Sequence, residues 1–158
     1  MSTPQWVVFR LDAGQYALPL EHVVEVLRMV AIRPVPEGPA WLAGVINLRG
    51  RVLPIMDLRT RLGLPPLGAR LETRIIVTDT GGFAAGGETG GQRLIGLLAD
   101  EVLEVLTQPA APIDLPRGLP GAVGRPLAAV QVGDRLVTVF DLERLGADAQ
   151  ALPRLEAG

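Results

Sequence analysis

The chain is cut by glycine and proline into short apolar runs, few of which reach the roughly 10 to 12 residues that a helix usually takes. The pattern reads as mainly β. Residues 6–11 predict a first strand and residues 15–18 a second, folded back across Asp12, Ala13 and Gly14 as an N-terminal hairpin. In 20–29 the apolar positions Val23, Val24, Val26 and Leu27 fit one helical face. Their β-branched character favours a short turn feeding a strand, which is the reading adopted. Pro34, Pro36, Gly38 and Pro39 then force an extended linker, because proline fixes φ and moves the residue before it out of the helical region. Order resumes at Trp41. Residues 44–48 and 51–56 flank Arg49-Gly50 as paired strands, Asp57 caps a short helix running to about Leu62, and Gly63 ends it. Further strands are expected at 74–78 and 93–98, on either side of the glycine-rich tract 81–91, which has little to bury and reads as a mobile hairpin loop.

The chain also resembles itself. Val23-Val24-Glu25-Val26-Leu27 recurs as Val102-Leu103-Glu104-Val105-Leu106, 79 residues later, and 50–58 aligns with 134–142, 84 residues later. In the second match Asp57-Leu58 and Asp141-Leu142 each follow an apolar strand and open a short helix. Two matches in the same order at nearly equal offsets suggest a duplicated unit of about 80 residues, folded as two similar small barrels packed on each other.

With 158 residues and 48% hydrophobic composition, the chain can bury the core of one compact soluble body. It has no cysteine, which removes disulfides, thiolate metal sites and cysteine nucleophiles together. Residues 1–5 carry no leader signature and no later stretch approaches about 18 apolar residues without a charge, so a cytoplasmic protein without membrane insertion is expected. All 15 basic residues are arginine, yet the net charge is −2, the pI is near 5.4 and aromatics make up 4%. A nucleic-acid surface needs clustered cations and usually stacking rings, so that class of partner is not expected.

Reaction chemistry finds no home. His22 is the only histidine and Ser2 the only serine, in a terminus that offers no scaffold for a triad. His22 therefore reads as a surface or turn residue. Asp100, Glu101 and Glu104 are close in sequence, but neighbours in a strand face opposite ways, so they read as solvated edge charges. One histidine, no cysteine and no calcium-type loop leave nothing to hold a metal, and no cofactor is expected. Residues 86–91 lack the Gly-Lys-Ser/Thr ending of a phosphate loop. What remains is a polar cluster, Asn47-Leu48-Arg49-Gly50, between two apolar strands, made of good turn residues.

That cluster, within Gly44-Val45-Ile46-Asn47-Leu48-Arg49-Gly50 and followed by Val52-Leu53-Pro54-Ile55-Met56-Asp57-Leu58-Arg59, resembles the core motif of CheW-like domains. The likeness extends over 6–145: Phe9-Arg10-Leu11 with Tyr16-Ala17-Leu18 is similar to the family's opening hairpin, and 133–145 to its closing strand and helix. The resemblance implies two intertwined five-stranded SH3-like β-barrels with short helices. One domain spans 6–145, in two interleaved halves of about 6–79 and 80–145, with 146–158 as a tail.

The resemblance also implies a non-catalytic adaptor that bridges the cytoplasmic tips of methyl-accepting chemoreceptors to the regulatory domain of a CheA-type histidine kinase, at the inner face of the membrane. By the same likeness Arg49 faces the receptor and pairs with Glu25 in a bidentate contact across adjacent strands. Val23 and Val26 flank the patch, Gly44 lies nearby, and Asn47 and Gly50 complete the turn. A pilus-linked or other non-flagellar pathway is an alternative within the fold. A stand-alone SH3-like peptide-binding module would need an aromatic groove, and this chain has six aromatic residues in all.

Overall fold

The computed structural model describes residues 5–65, 68, 70–80, 94–107, 110–113, 127–132 and 135–140; the tract 81–91 and the segment 141–158 lie outside them. Among the described residues eleven strands follow one another: β1 Gln5–Leu11, β2 Gly14–Pro19, β3 Val23–Arg28, β4 Leu42–Leu48, β5 Arg51–Met56, β6 Arg74–Asp79, β7 Leu94–Ala99, β8 Glu101–Thr107, β9 Ala110–Ile113, β10 Leu127–Val132 and β11 Arg135–Phe140. A 3-10 turn, Leu20–His22, feeds β3, in keeping with the β-branched reading of that segment. One helical turn, α1 Leu58–Arg61, follows β5. Asp57 Oδ1 accepts from the Arg59 backbone N–H at 3.0 Å to cap it, and Gly63, at φ +72°, ends it.

The strands form two sheets. One is five-stranded in the order β3-β6-β7-β5-β4, and the other six-stranded in the order β8-β1-β2-β11-β10-β9. They are built alike. Each has an edge strand carrying the Val-Val/Leu-Glu-Val-Leu repeat (β3, β8), an antiparallel hairpin inside it (β6–β7, β1–β2), a parallel contact, and a second antiparallel pair (β5–β4, β11–β10). The parallel contacts correspond: Ile55 sits opposite Gly96 in one sheet and Val139 opposite Ala17 in the other. The second sequence repeat falls on β5 and β11, the two strands that make those contacts.

Chain order does not follow sheet membership. The N-terminal hairpin β1–β2 lies beside β8 and β11, whereas β6–β7 completes the sheet of β3, β4 and β5. The described chain passes between sheets through Leu20–His22 and again through the single residue Asp100. Apolar residues buried on both faces of both sheets explain why neither sheet stands alone. Phe9, Leu11, Leu18 and Phe140 from one sheet meet Met56, Ile76, Ile95, Leu97 and Ala99 from the other, with Leu58 and Leu62 of α1 sealing the layer. The rings of Phe9, Tyr16 and Phe140 lie 5.5 to 6.2 Å apart in this layer. Beyond it, each sheet closes on a cluster of its own: Val8, Ala17, Val137 and Val139 in one, Ile46, Leu53, Ile55, Ile75 and Val77 in the other.

Candidate functional site

The site begins with a tight turn. Leu48 pairs with Arg51, leaving Arg49-Gly50 as a two-residue loop in which both φ angles are positive, +49° and +86°, as a type I′ hairpin requires. Glycine takes this conformation freely and arginine rarely does. Asn47 holds the turn in place by accepting from the Gly50 backbone N–H through Oδ1 at 2.8 Å. The Arg49 side chain is thereby lifted off the end of the hairpin into solvent.

There it meets Glu25. Arg49 Nη1 donates to Oε1 at 3.4 Å and Nη2 donates to Oε2 more closely, the parallel two-point contact of a guanidinium on a carboxylate. The expected pairing across adjacent strands is corrected here, because β3 and β4 are opposite edges of their sheet. On a flat sheet four strand spacings would set them about 19 Å apart, too far for the pair. Leu27 and Met29 from the β3 side, Ile46 and Leu48 from β4 and Leu94 and Leu98 from β7 all pack on one cluster, so the sheet rolls around it and brings its edges together. The chain after β3 closes the remaining gap. Arg33 and Val45 exchange backbone hydrogen bonds of 2.9 and 2.8 Å, giving β4 a partner on its outer side. Arg49 and Glu25 thus clasp a seam.

Gly44 makes that closure possible. It is buried at φ +149°, and a Cβ placed there would lie 2.3 Å from the Arg33 carbonyl oxygen. Gly44→Ala is expected to cost about 2 to 4 kcal/mol, from backbone strain and the forced separation of Arg33 from Val45. Urea denaturation checks this, and an unchanged midpoint would contradict it.

The valines divide by register. Val23 lies opposite Thr78 and Val26 opposite Ile76, with a shift at Val24 that keeps both on the face toward the other sheet, while Glu25 and Leu27 turn the other way. Val23 packs on the central core, whereas Val24 and Val26, the chain neighbours of Glu25, stay exposed, at 45% and 42%. On β8 the repeat leaves Leu103 and Val105 exposed in the same alternation.

Arg49 holds the Glu25 carboxyl below the ordinary glutamate value of 4.5, chiefly through the hydrogen bonds and then through its charge. A lowered carboxylate pKa gives stability that is present above the unfolded value and lost as pH falls through the folded one. The clasp is therefore intact at neutral pH and weakens only in acid. A carbon-detected NMR titration should place Glu25 below 4.5 in the wild type and return it toward 4.5 in Arg49→Gln; identical midpoints would break the argument.

Sequence reasoning missed a second polar centre. Asp100, read as a solvated edge charge, is only 9% exposed, and Arg59 only 5%. Arg59 Nη1 donates to Asp100 Oδ2 at 2.5 Å, and the same oxygen accepts from the Asp12 backbone N–H at 2.7 Å. Arg59 Nε donates to the Pro65 carbonyl at 2.9 Å, and Nη2 lies 3.5 Å from Asp12 Oδ1. Burial overturned the expectation because Asp100 is not in a strand but is the link between two of them. The signal available was the break that Asp100-Glu101 makes between two largely apolar runs, 94–99 and 102–106. His22 sits in the 3-10 turn, its Nε2 3.5 Å from Glu21 Oε1. Among the described residues no group of three or more His, Asp or Glu gathers as a metal site would require, and no helix is long and apolar enough to cross a membrane.

Comparison with known proteins bears on this geometry. The family model described as CheW-like domain matches residues 5–150. A probable chemotaxis protein CheW of Rhizobium etli is 29% identical over 153 residues, covering 92% of this chain and 88% of the relative. The chemotaxis protein CheW of Helicobacter pylori is 27% identical over 142 residues, covering 89% of this chain and 80% of its own. Among solved structures, the scaffolding protein TtCheW from Thermoanaerobacter tengcongensis is similar with a TM-score of 0.68 at 28% identity, over 89% of each chain. Two β-sheets exchanging hairpins, a clasped Asn-Leu-Arg-Gly turn and a family match over nearly the whole length agree: the chain belongs to the CheW-like domain family of chemotaxis adaptors.

Proposed function

We propose that this protein couples the cytoplasmic tips of methyl-accepting chemoreceptors to the regulatory domain of a CheA-type histidine kinase, working in the cytoplasm at the inner face of the membrane and turning over no substrate. The observation that carries the reading is the clasp between Arg49 and Glu25 on an edge strand whose residues either side of Glu25, Val24 and Val26, are exposed. A receptor tip is helical and presents an apolar stripe; laid on β3 it would cover those valines and meet the guanidinium at the rim. An exposed ion pair adds little to folding, so its value lies in fixing the orientation of the surface and refusing partners of the wrong charge. Asn47 and Gly50 serve by shaping the turn, Gly44 by closing the seam behind it, and Val23 by anchoring β3 to the core.

Output on this reading is assembly: the protein raises kinase activity by holding receptor and kinase in one complex. The test is co-sedimentation of the purified chain with receptor-containing membranes, with and without the kinase. The chain should pellet with receptors alone and carry more kinase down with it. A chain that stays in the supernatant with every receptor of its own genome would end the proposal.

A further inference from the structure

The buried pair Arg59–Asp100, with the exposed Asp12 joined to it, has no part in the clasp. Its parts come from three places: Arg59 from α1 after β5, Asp100 from the one-residue link between β7 and β8, and Asp12 from the turn of the β1–β2 hairpin, held at φ +55°. One oxygen, Asp100 Oδ2, accepts from both Arg59 and the Asp12 backbone, and the Asp100 backbone N–H donates to the Arg10 carbonyl at 3.0 Å. Removing two charges from water offsets much of what their attraction gains, so a buried pair of this kind is weak as a source of stability and better suited to selecting one arrangement over another.

There is an arrangement to select against. Residues 5–56 already contain five strands, β1 to β5, as many as the smaller finished sheet uses. They leave the ribosome before β6 and β7 exist. The place beside β5 that β7 occupies in the native fold is open to β2, which makes the corresponding parallel contact with β11. In that self-paired form the β1–β2 turn would lie at the start of the strand parallel to β5. Arg59 follows the end of β5, about 20 Å away along a six-residue strand. Asp12 could not then reach Arg59, and Asp100 would leave with β7. The three groups meet only when β1–β2 lies beside β8 and β7 lies beside β5.

We propose that the Arg59–Asp100–Asp12 group specifies the exchange of hairpins between the two sheets, rejecting the self-paired form open to the first half of the chain. The chain has no cysteine, so pairing can be read directly. Gln5 and Thr107 are opposite each other on β1 and β8 and both exposed, and Gln5→Cys with Thr107→Cys reports the exchanged pairing as a disulfide within one monomer. The full chain with this reporter is unfolded in denaturant, diluted, allowed to refold, oxidised and separated by size, with and without Arg59→Met plus Asp100→Asn. That double change removes the two buried charges while keeping similar volume and an acceptor for the Asp12 N–H. The reporter alone should crosslink nearly completely. The double variant should fold to a β-rich monomer by circular dichroism but crosslink several-fold less. Equal crosslinking in the two overturns the proposal. If the double variant does not fold, Asp100→Asn alone is read in the same way. Failure of both to fold would make the group a stability element and likewise overturn it.

Discussion

Phe9→Ala is expected to destabilise the protein by about 3 to 5 kcal/mol. Phe9 is fully buried on β1, where its ring stacks against Tyr16 and Phe140 and its cluster joins residues of both sheets and of α1. Removing the ring leaves a cavity in the layer between the sheets, and that layer cannot collapse without shifting two sheets that also carry cores of their own. The midpoint of thermal melting should fall by about 6 to 20 °C for a chain of this length. The transition should stay single, because the exchanged hairpins bind the sheets into one cooperative unit. A fall of a degree or two, or two separate transitions, would show that the central layer is not what couples them.

Arg49→Glu carries the largest expected effect on function. It sets a second carboxylate beside Glu25 in place of the fork that held it, so the clasp becomes a repulsion at the seam. The guanidinium is largely exposed, and the turn geometry comes from Asn47 and Gly50, so the fold should survive, as an unchanged circular dichroism spectrum checks. Binding should not survive: co-sedimentation with receptor membranes is expected to fall at least tenfold. Reversing the charge puts like charges together at the rim of the interface, the arrangement by which interfaces reject wrong partners. Val26→Asp, at an exposed position of the same strand, should weaken pelleting in the same direction without touching the ion pair.

The elements read from the sequence were those whose signals are local. The N-terminal hairpin, the short turn before β3, the Asp57-capped helix and the Arg49-Gly50 turn each declare themselves in neighbouring residues, and the structure has them. The Glu25–Arg49 pair came from family resemblance rather than from spacing, and its geometry was misjudged. Nothing between Val23 and Gly50 says that β3 and β4 are opposite edges, since β6 and β7, which separate them, come later in the chain. The Asp100 link was misread for a related reason. Its charge looks solvated beside Glu101, and only the arrival of Arg59 from 41 residues away makes it buried. Long-range pairing decides both cases, and a hydrophobic pattern reports a face but not the partner that covers it.

The most direct test of the adaptor account is the autophosphorylation rate of the cognate kinase on receptor-containing membranes, measured with and without this protein. The rate should rise many-fold when the wild-type chain is added and stay at the unassisted level with folded Arg49→Glu. A rate indifferent to the wild-type protein, with receptor and kinase both competent, would contradict it.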